Sequence, residues 1–250
     1  MCLITFSWNQ HPKYKLILVA NRDEYFKRPS QSLHQWDSGI YAGKDLKEGG
    51  TWLGFHPSGR FAALTNFRDM DREVPRERSR GELVTGFLES KDDPLSYLQG
   101  IDPYKNEYNG FNLLVADKNR LYILSNYGQG IQEVSAGIHA ISNAFLDSPW
   151  PKVNLARQQF EQLLKKKNPE MEDLHQLLQS TEHAPEDQLP ATGLSKGLEK
   201  AVSAQFIRVD DYYGTVNTTA LLWDKEGEVH LREVRTIPEP QISECAFRVN

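Results

Sequence analysis

The second residue of this chain is a cysteine, and its position gives it a chemistry that an internal cysteine lacks. A small residue at position 2 normally allows methionine aminopeptidase to remove Met1, which would make Cys2 the N-terminal residue. The thiol and the new α-amine would then share one residue, and an α-amine has a pKa of about 7.7–8.0. Such an amine can take the thiol proton, as it does for an N-terminal threonine nucleophile. The sequence therefore predicts a self-activated cysteine nucleophile.

Polar residues that could assist this nucleophile follow several of the predicted strands. They form three groups, at residues 21–24, 65–68 and 142–143. Arginine lowers the pKa of a neighbouring thiol, aspartate can orient an N-terminal ammonium, and asparagine amides stabilise an oxyanion without adding charge. Together these groups could attack an amide or ester carbonyl. The predicted catalytic residues are Cys2, Arg22, Asp23, Asn66 and Asn143, and the predicted substrate-binding residues are Asn21, Glu24, Trp52 and Arg68.

The first of these groups poses a geometric problem. Side chains of adjacent strand residues point to opposite faces of a sheet, so Arg22 and Asp23 cannot both face one site from a regular strand. Either Arg22 acts together with Glu24, which is two residues away, or a β-bulge turns Asp23 toward the site. The sequence leaves open which of the two acids faces the nucleophile.

The order of the predicted elements indicates the fold class. Strands come first, helices occupy the middle and strands return at the end, without a βαβ rhythm, which is typical of an α+β fold with largely antiparallel sheets. Apolar runs and turn signals predict strands over residues 2–8, 15–20, 51–55, 60–66, 111–117, 120–126, 130–134, 138–142, 205–209, 216–223 and 229–233. Helical spacing predicts helices over residues 81–88, 94–99, 152–167 and 171–179. We expect a loop over residues 25–47, a surface connection over 181–203, and one domain over 1–250.

Composition excludes several classes of function. The 250 residues carry 29 basic and 34 acidic side chains, a net charge of −5, which argues against a nucleic-acid-binding protein. The chain contains neither an apolar run of roughly 20 residues, enough to span a bilayer, nor a secretory signal. Its two cysteines rule out a disulfide framework and a cysteine-based zinc site. We therefore expect a cytoplasmic protein without a metal, and its oligomeric state stays open.

Several motifs occur in one order along the chain and resemble the NRDE family, which includes the eukaryotic transport and Golgi organisation protein 2. They are Asn21-Arg22-Asp23-Glu24, Arg28-Pro29, Gly49-Gly50-Thr51-Trp52-Leu53-Gly54, Leu64-Thr65-Asn66-Phe67-Arg68, Ser142-Asn143, Asp147-Ser148-Pro149-Trp150-Pro151-Lys152-Val153 and Tyr213-Gly214-Thr215. The resemblance covers nearly the whole chain. That family is similar to N-terminal-nucleophile (Ntn) hydrolases, so the resemblance implies a four-layer αββα sandwich of largely antiparallel sheets.

The resemblance also implies roles for individual residues. Choloylglycine and penicillin V acylases, which are similar in architecture, use an N-terminal cysteine, an arginine and an aspartate on the next strand, and asparagines near the oxyanion. Cys2 matches the nucleophile, and Arg22 and Asp23 match the arginine and aspartate, although in the acylases that pair is separated by other residues. Asn143 resembles the oxyanion asparagine, and Asn66 is a weaker match.

Two main hypotheses for the function follow. In the first, the protein is an amide-bond hydrolase or acyltransferase that acts on a small molecule through Cys2 and needs no cofactor. In the second, it is a non-enzymatic carrier of haem or another hydrophobic ligand on the same scaffold, since eukaryotic relatives are linked to haem trafficking and to secretory or Golgi organisation. A third hypothesis, a purely structural interaction protein, does not explain the polar groups at the strand ends.

Overall fold

The computed structural model describes residues 2–128, 130–166 and 168–250. The predicted removal of Met1 therefore lies outside the described residues. Within them the chain forms two seven-stranded sheets and five α-helices. No helix in these three stretches is both long and apolar enough to cross a membrane.

The first sheet joins the two ends of the chain. Its strands are β1 (Cys2–Trp8), β2 (Tyr14–Tyr25), β10 (Gly137–Ile141), β11 (Arg208–Val209), β12 (Tyr213–Asp224), β13 (Glu228–Arg235) and β14 (Gln241–Arg248). Their order is β10-β1-β2-β12-β13-β14, with β11 paired to β12, and all neighbours are antiparallel. N-terminal strand β2 therefore lies at the centre, next to C-terminal strand β12.

The second sheet is a meander formed by the middle of the chain. Its strands are β3 (Ser30–Gln35), β4 (Tyr41–Asp45), β5 (Leu53–His56), β6 (Arg60–Asn66), β7 (Phe111–Ala116), β8 (Leu121–Ser125) and β9 (Gly130–Glu133). They pair antiparallel in the order of the sequence. Short connections therefore suffice, except between β6 and β7, where two helices are inserted.

The helices cover the outer faces of the two sheets. They are α1 (Gly81–Glu89), α2 (Pro94–Ile101), α3 (Pro151–Leu163), α4 (Met171–His175) and α5 (Lys196–Ala201). Apolar residues of α1 such as Phe87 pack on the second sheet, and those of α3 such as Phe160 pack on the first. A third core, including Trp223 and Phe55, fills the space between the sheets. The predicted α+β, four-layer αββα architecture is confirmed.

Three predictions about individual elements are wrong. Residues 25–47 contain β3 and β4 rather than a loop; polar Ser, Gln and His side chains hide the strand pattern of β3, and β4 is short with a glycine at its centre. Strand β14 was not predicted, since it is an edge strand whose alternating residues are exposed or half-buried. The predicted surface connection over 181–203 contains α5, and Glu199 on this helix is buried.

Two of the four predicted helices end too late. Helix α3 ends at Leu163, and α4 spans only Met171–His175 instead of continuing to Gln179. Leu178 has a φ of 59°, a left-handed conformation that an α-helix cannot continue through. The helical spacing of apolar residues therefore extends beyond both observed helix ends.

Candidate active site

Cys2 lies beside Arg22 because β1 and β2 pair antiparallel in a register that places these two residues opposite each other. Directly paired residues present their side chains on the same face of a sheet. The Arg22 guanidinium stacks over the Trp52 ring, 4.2 Å from its centroid. Because Trp52 immediately precedes β5 of the second sheet, the paired Cys2 and Arg22 lie on the face of the first sheet that is turned toward the second.

A chain of charged side chains continues from Arg22 along this inner face. Glu24 follows Arg22 by two residues, and its carboxylate lies 3.8 Å from the guanidinium. Glu24 is also 3.8 Å from Arg28, which is bound to Asp45 at 2.6 Å. Positive and negative groups therefore alternate along this chain, so no single charge is left without an opposite neighbour.

Asp23 points to the other face of β2. Its Oδ1 accepts a hydrogen bond from Thr215 Oγ1 at 2.7 Å, and its backbone carbonyl accepts one from the Tyr213 hydroxyl at 3.2 Å. The register shift at this place lies in β12, between Thr215 and Asn217, and not in β2. Alternation along β2 is therefore preserved, and Arg22 shares its face with Glu24.

These residues surround a small polar cavity of ≈ 120 Å³. Asp23 and Glu24 both belong to its wall, but only Glu24 shares the inner face of β2 with Arg22, because the Asp23 side chain is bonded on the opposite face. The lining residues are Cys2, Arg22, Asp23, Glu24, Arg28, Asp45, Gly50, Thr51, Trp52, Leu64, Asn66, Ser79, Arg80 and Gly81. Most of these residues are charged or polar, so the cavity has a polar wall.

The Cys2 thiol is held in its protonated form by its surroundings. Burial raises the pKa of the Cys2 thiol, and the Asp23 carboxylate acts in the same direction. A hydrogen bond from the backbone of Asp23 and the charge of Arg22 act against this increase in pKa. Because the balance favours the thiol over the thiolate, this cysteine needs a base to become a nucleophile.

The two predicted oxyanion residues occupy different positions. Asn66 ends β6 and lines the cavity. Asn143 is fully buried, and its Nδ2 donates to the Asn66 carbonyl at 2.9 Å. Ser142 Oγ lies within hydrogen-bond distance of both Asn143 Oδ1 and the Cys2 carbonyl, at 3.1 and 2.9 Å. Asn143 thus fixes the position of Asn66 relative to Cys2 instead of lining the cavity itself.

Two predicted substrate-binding residues lie away from the cavity wall. Asn21 Nδ2 donates to the carbonyls of Leu178 and Gln205 at 2.8 and 3.0 Å, and its Oδ1 accepts from Thr218 at 2.7 Å. These contacts fasten the first sheet to the segments packed on its outer face.

Arg68 is also buried and lies away from the cavity wall. It forms a 2.9 Å ion pair with Glu199, and both side chains are only 4% exposed. Its guanidinium also lies over the Trp150 ring, 4.8 Å from the centroid. Neither Asn21 nor Arg68 is among the residues that line the cavity.

Sequence reasoning missed several charged residues around Cys2. Arg28, Asp45 and Arg80 line the cavity, and only Arg28 belongs to one of the motifs. Lys152 is buried, donates from Nζ to the Val202 carbonyl at 3.0 Å, and has its pKa lowered to about 8 by burial, against the opposing charge of Asp23. Arg80 precedes α1 in a charge-rich loop, where no periodic pattern distinguishes it.

No group of three metal-binding side chains occurs in the described part of the chain.

Comparison with known proteins gives a consistent family match. The family model described as TANGO2, Transport and Golgi organisation 2, matches residues 1–238. A Transport and Golgi organization protein 2 homolog from Bos taurus is 36% identical over 257 residues, covering 93% of this chain and 92% of the relative. The homolog from Homo sapiens is 34% identical over 271 residues, covering 99% and 97%, and the Drosophila melanogaster protein is 29% identical, covering 93% and 91%.

Among solved structures, the chain is similar to a Caenorhabditis elegans N-acylethanolamine-hydrolyzing acid amidase (NAAA) ortholog. The match covers 88% of this chain and 92% of that chain, with 11% sequence identity and a TM-score of 0.49. A likeness this weak assigns neither an activity nor a substrate.

Proposed function

This chain belongs to the Transport and Golgi organisation 2 family, and we propose that it is an amide-bond hydrolase whose N-terminal nucleophile is Cys2. One observation carries this proposal: Cys2 and Arg22 are direct partners on the inner face, where they line one polar cavity with Asp23 and Asn66. A nucleophile, a cation, an acid and a neutral amide donor therefore meet around a space that a small substrate can enter.

The proposed reaction begins after Met1 has been removed. The α-amine of Cys2 takes the thiol proton, and the thiolate sulfur attacks the carbonyl carbon of the bound amide. The carbonyl oxygen becomes an oxyanion, to which the Asn66 side-chain amide donates a hydrogen bond. The ammonium returns its proton to the leaving nitrogen, the C–N bond breaks, and a thioester remains on Cys2. Water then hydrolyses the thioester with the amine again acting as base, and an amine acceptor in place of water would give acyl transfer.

The neighbouring residues have supporting roles in this proposal. The Asp23 carboxylate orients the N-terminal ammonium, and the Arg22 charge favours the thiolate. Trp52 stacks on the Arg22 guanidinium and Glu24 lies 3.8 Å from it, so the guanidinium does not have to be reorganised during the reaction. The Asn143 side-chain amide positions Asn66 by donating a hydrogen bond to the Asn66 backbone carbonyl.

The rival hypothesis of a haem carrier gains no support from this cavity. Ligand pockets for cofactor-sized molecules usually measure about 300–1,000 Å³ and are largely apolar, whereas this cavity has ≈ 120 Å³ and charged walls. Small polar acyl amides fit these properties better. A haem titration tests the rival directly, because a stoichiometric, saturable Soret shift would favour the carrier.

The first experiment is the intact mass of untagged protein expressed with its native start. We expect the loss of one methionine, which would show that Cys2 carries a free α-amine. Retained Met1 would contradict the proposed base, since the amine would then belong to another residue.

The second experiment compares Cys2→Ala with wild type on a panel of small acyl p-nitroanilides, including acetyl, glycyl and succinyl derivatives. We expect hydrolysis to fall by about 10³-fold or more, as when the nucleophile of a covalent mechanism is removed. Cys245→Ala is the matched control, because Cys245 lies on β14 outside the cavity lining. Hydrolysis that persists in Cys2→Ala at the wild-type rate would refute the proposal.

A further inference from the structure

A second cavity of ≈ 400 Å³ lies against β7, β8 and β9 of the second sheet and the segment that follows β10. None of its described lining residues carries a charge, and none lines the cavity of Cys2. Ile123, Phe145 and Leu146 give it an apolar wall. This volume is in the usual range for a small-molecule site.

Two of the lining residues each have a buried side-chain polar atom without a hydrogen-bond partner. These atoms are Asn112 Oδ1 and Ser125 Oγ, and their residues are 1% and 7% exposed. The Asn112 Nδ2 is engaged, since it donates to Thr65 Oγ1 at 3.1 Å and to the Ala144 carbonyl at 2.9 Å. These two hydrogen bonds fix the orientation of the amide. A buried polar atom without a partner costs free energy, so a ligand that satisfies both atoms would be stabilised here.

The two unpartnered atoms are neighbours. Asn112 and Ser125 stand directly opposite each other in the register of β7 and β8. Side chains of such cross-strand partners lie side by side, with Cβ atoms about 4.5–5.5 Å apart. One residue offers an acceptor and the other a hydroxyl that can donate, which matches the N–H and C=O groups of a single carboxamide.

We propose that this cavity binds a small neutral carboxamide that carries an aromatic ring or a short apolar chain. The amide N–H donates to Asn112 Oδ1, and the amide carbonyl accepts from the Ser125 hydroxyl. The apolar part of the ligand lies against Ile123, Phe145 and Leu146. A charged ligand is disfavoured because the described wall offers no opposite charge to offset its desolvation.

Aromatic side chains flank this site. Phe145 is 47% exposed, and its ring packs against Phe67 with centroids 4.9 Å apart, while Tyr127 packs on the same Phe67 ring at 5.3 Å. A Cβ added at Gly128 would lie 3.0 Å from Phe145 and 3.2 Å from the Ser125 Cβ. The glycine therefore preserves space between the aromatic wall and the Ser125 hydroxyl.

Benzamide is the probe for this proposal, and acetophenone, which has the carbonyl but no N–H, is its matched control. Both are titrated into ¹⁵N-labelled wild-type protein and followed by heteronuclear NMR. We expect saturable shifts at residues 123–128 and 145–146, and benzamide binding about three- to tenfold tighter than acetophenone, the value of one neutral hydrogen bond. Equal affinities, no saturable shift at millimolar benzamide, or shifts confined to the Cys2 cavity would each overturn the proposal.

Ser125→Ala gives a second, independent measurement. Without the hydroxyl, we expect benzamide to bind about three- to tenfold more weakly, while the melting temperature of the ligand-free protein rises because an unsatisfied buried group has been removed. Ser135→Ala, at an exposed position preceding β10, should change neither value. Gly128→Ala should abolish binding by filling the space beside Phe145. Unchanged benzamide affinity in both Ser125→Ala and Gly128→Ala would refute the site.

Discussion

On the face of β2 that is turned toward the second sheet, Arg22 and Glu24 line a cavity. On the opposite face, Asn21 and Asp23 make hydrogen bonds to β12 and to segments packed on the first sheet. All four residues are consecutive and polar, yet the pleat of the strand divides them into two pairs with different surroundings. Asp23 is the exception among the four, because it makes a hydrogen bond on the outer face and also borders the cavity.

This difference separates structural polar groups from groups that are available for chemistry. On the outer face, the Asn21 amide nitrogen is bonded to two backbone carbonyls and its oxygen to the Thr218 hydroxyl. On the inner face, Glu24 makes longer contacts of 3.8 Å with Arg22 and with Arg28 beside the cavity. Substitutions on the outer face of β2 should therefore change stability, and substitutions on its inner face should change activity.

Glu199→Ala should have the largest effect on stability, although Glu199 lies far in sequence from residues 21–24. Glu199 pairs with buried Arg68, and removing one partner of a buried ion pair costs about 3–5 kcal/mol. Urea denaturation measures this loss. Glu186→Ala, which breaks the exposed contact with Lys200, is the control and should leave the midpoint unchanged. A Glu199→Ala protein as stable as wild type would show that the buried Arg68–Glu199 ion pair does not stabilise the fold.

Asn21→Ala tests the outer face of β2 itself. We expect the free energy of unfolding to fall by about 3 kcal/mol, because three buried groups lose their partner at once. Chemical denaturation of Asn21→Ala and of Asn119→Ala, an exposed asparagine in a turn, gives the comparison. A loss of activity without a loss of stability in Asn21→Ala would contradict the division between the two faces.

Glu233 tests a buried acid on the inner side of β13. It accepts a hydrogen bond from the Leu33 amide at 3.0 Å, and burial raises its pKa from 4.5 to about 7. The folded state then binds more protons than the unfolded state between these two values, so the stability from this group falls as pH rises through that range. Glu233→Gln should be more stable than wild type at pH 8, with a difference that shrinks by pH 5. An equal difference in urea denaturation at both pH values would contradict the raised pKa.

Arg22→Ala should have the smallest effect on stability and a large effect on the proposed reaction. Losing the contact with Trp52 costs about 1 kcal/mol, whereas hydrolysis of the responsive acyl p-nitroanilide should fall about 100-fold. Denaturation and initial rates are measured on the same preparations. Arg22→Lys keeps the charge without the stacked guanidinium, and its hydrolysis rate should lie between those of wild type and Arg22→Ala. If Arg22→Ala unfolds the protein, the inner face is structural as well.

Much of the fold follows from local patterns in the sequence. The hairpin of β7 and β8 and helix α1 were predicted within one residue of their observed bounds, because apolar periodicity and turn residues specify them locally. Strand β14 escaped detection because it is an exposed edge strand, where solvent accepts polar residues, and β3 because its Ser, Gln and His side chains give no apolar alternation. The end of α4 was also missed, because the left-handed Leu178 has no local signal.

The sequence by itself determined the residue types near Cys2, the alternation that separates Arg22 from Asp23, and the strand–helix–strand order behind the four layers. These properties are local, since they depend on neighbours along the chain. Only the tertiary structure decided that Arg80 lines the cavity of Cys2 and that Arg68 instead pairs with Glu199. The register of two sheets and the packing of distant loops place these charges, and both depend on contacts between residues far apart in sequence.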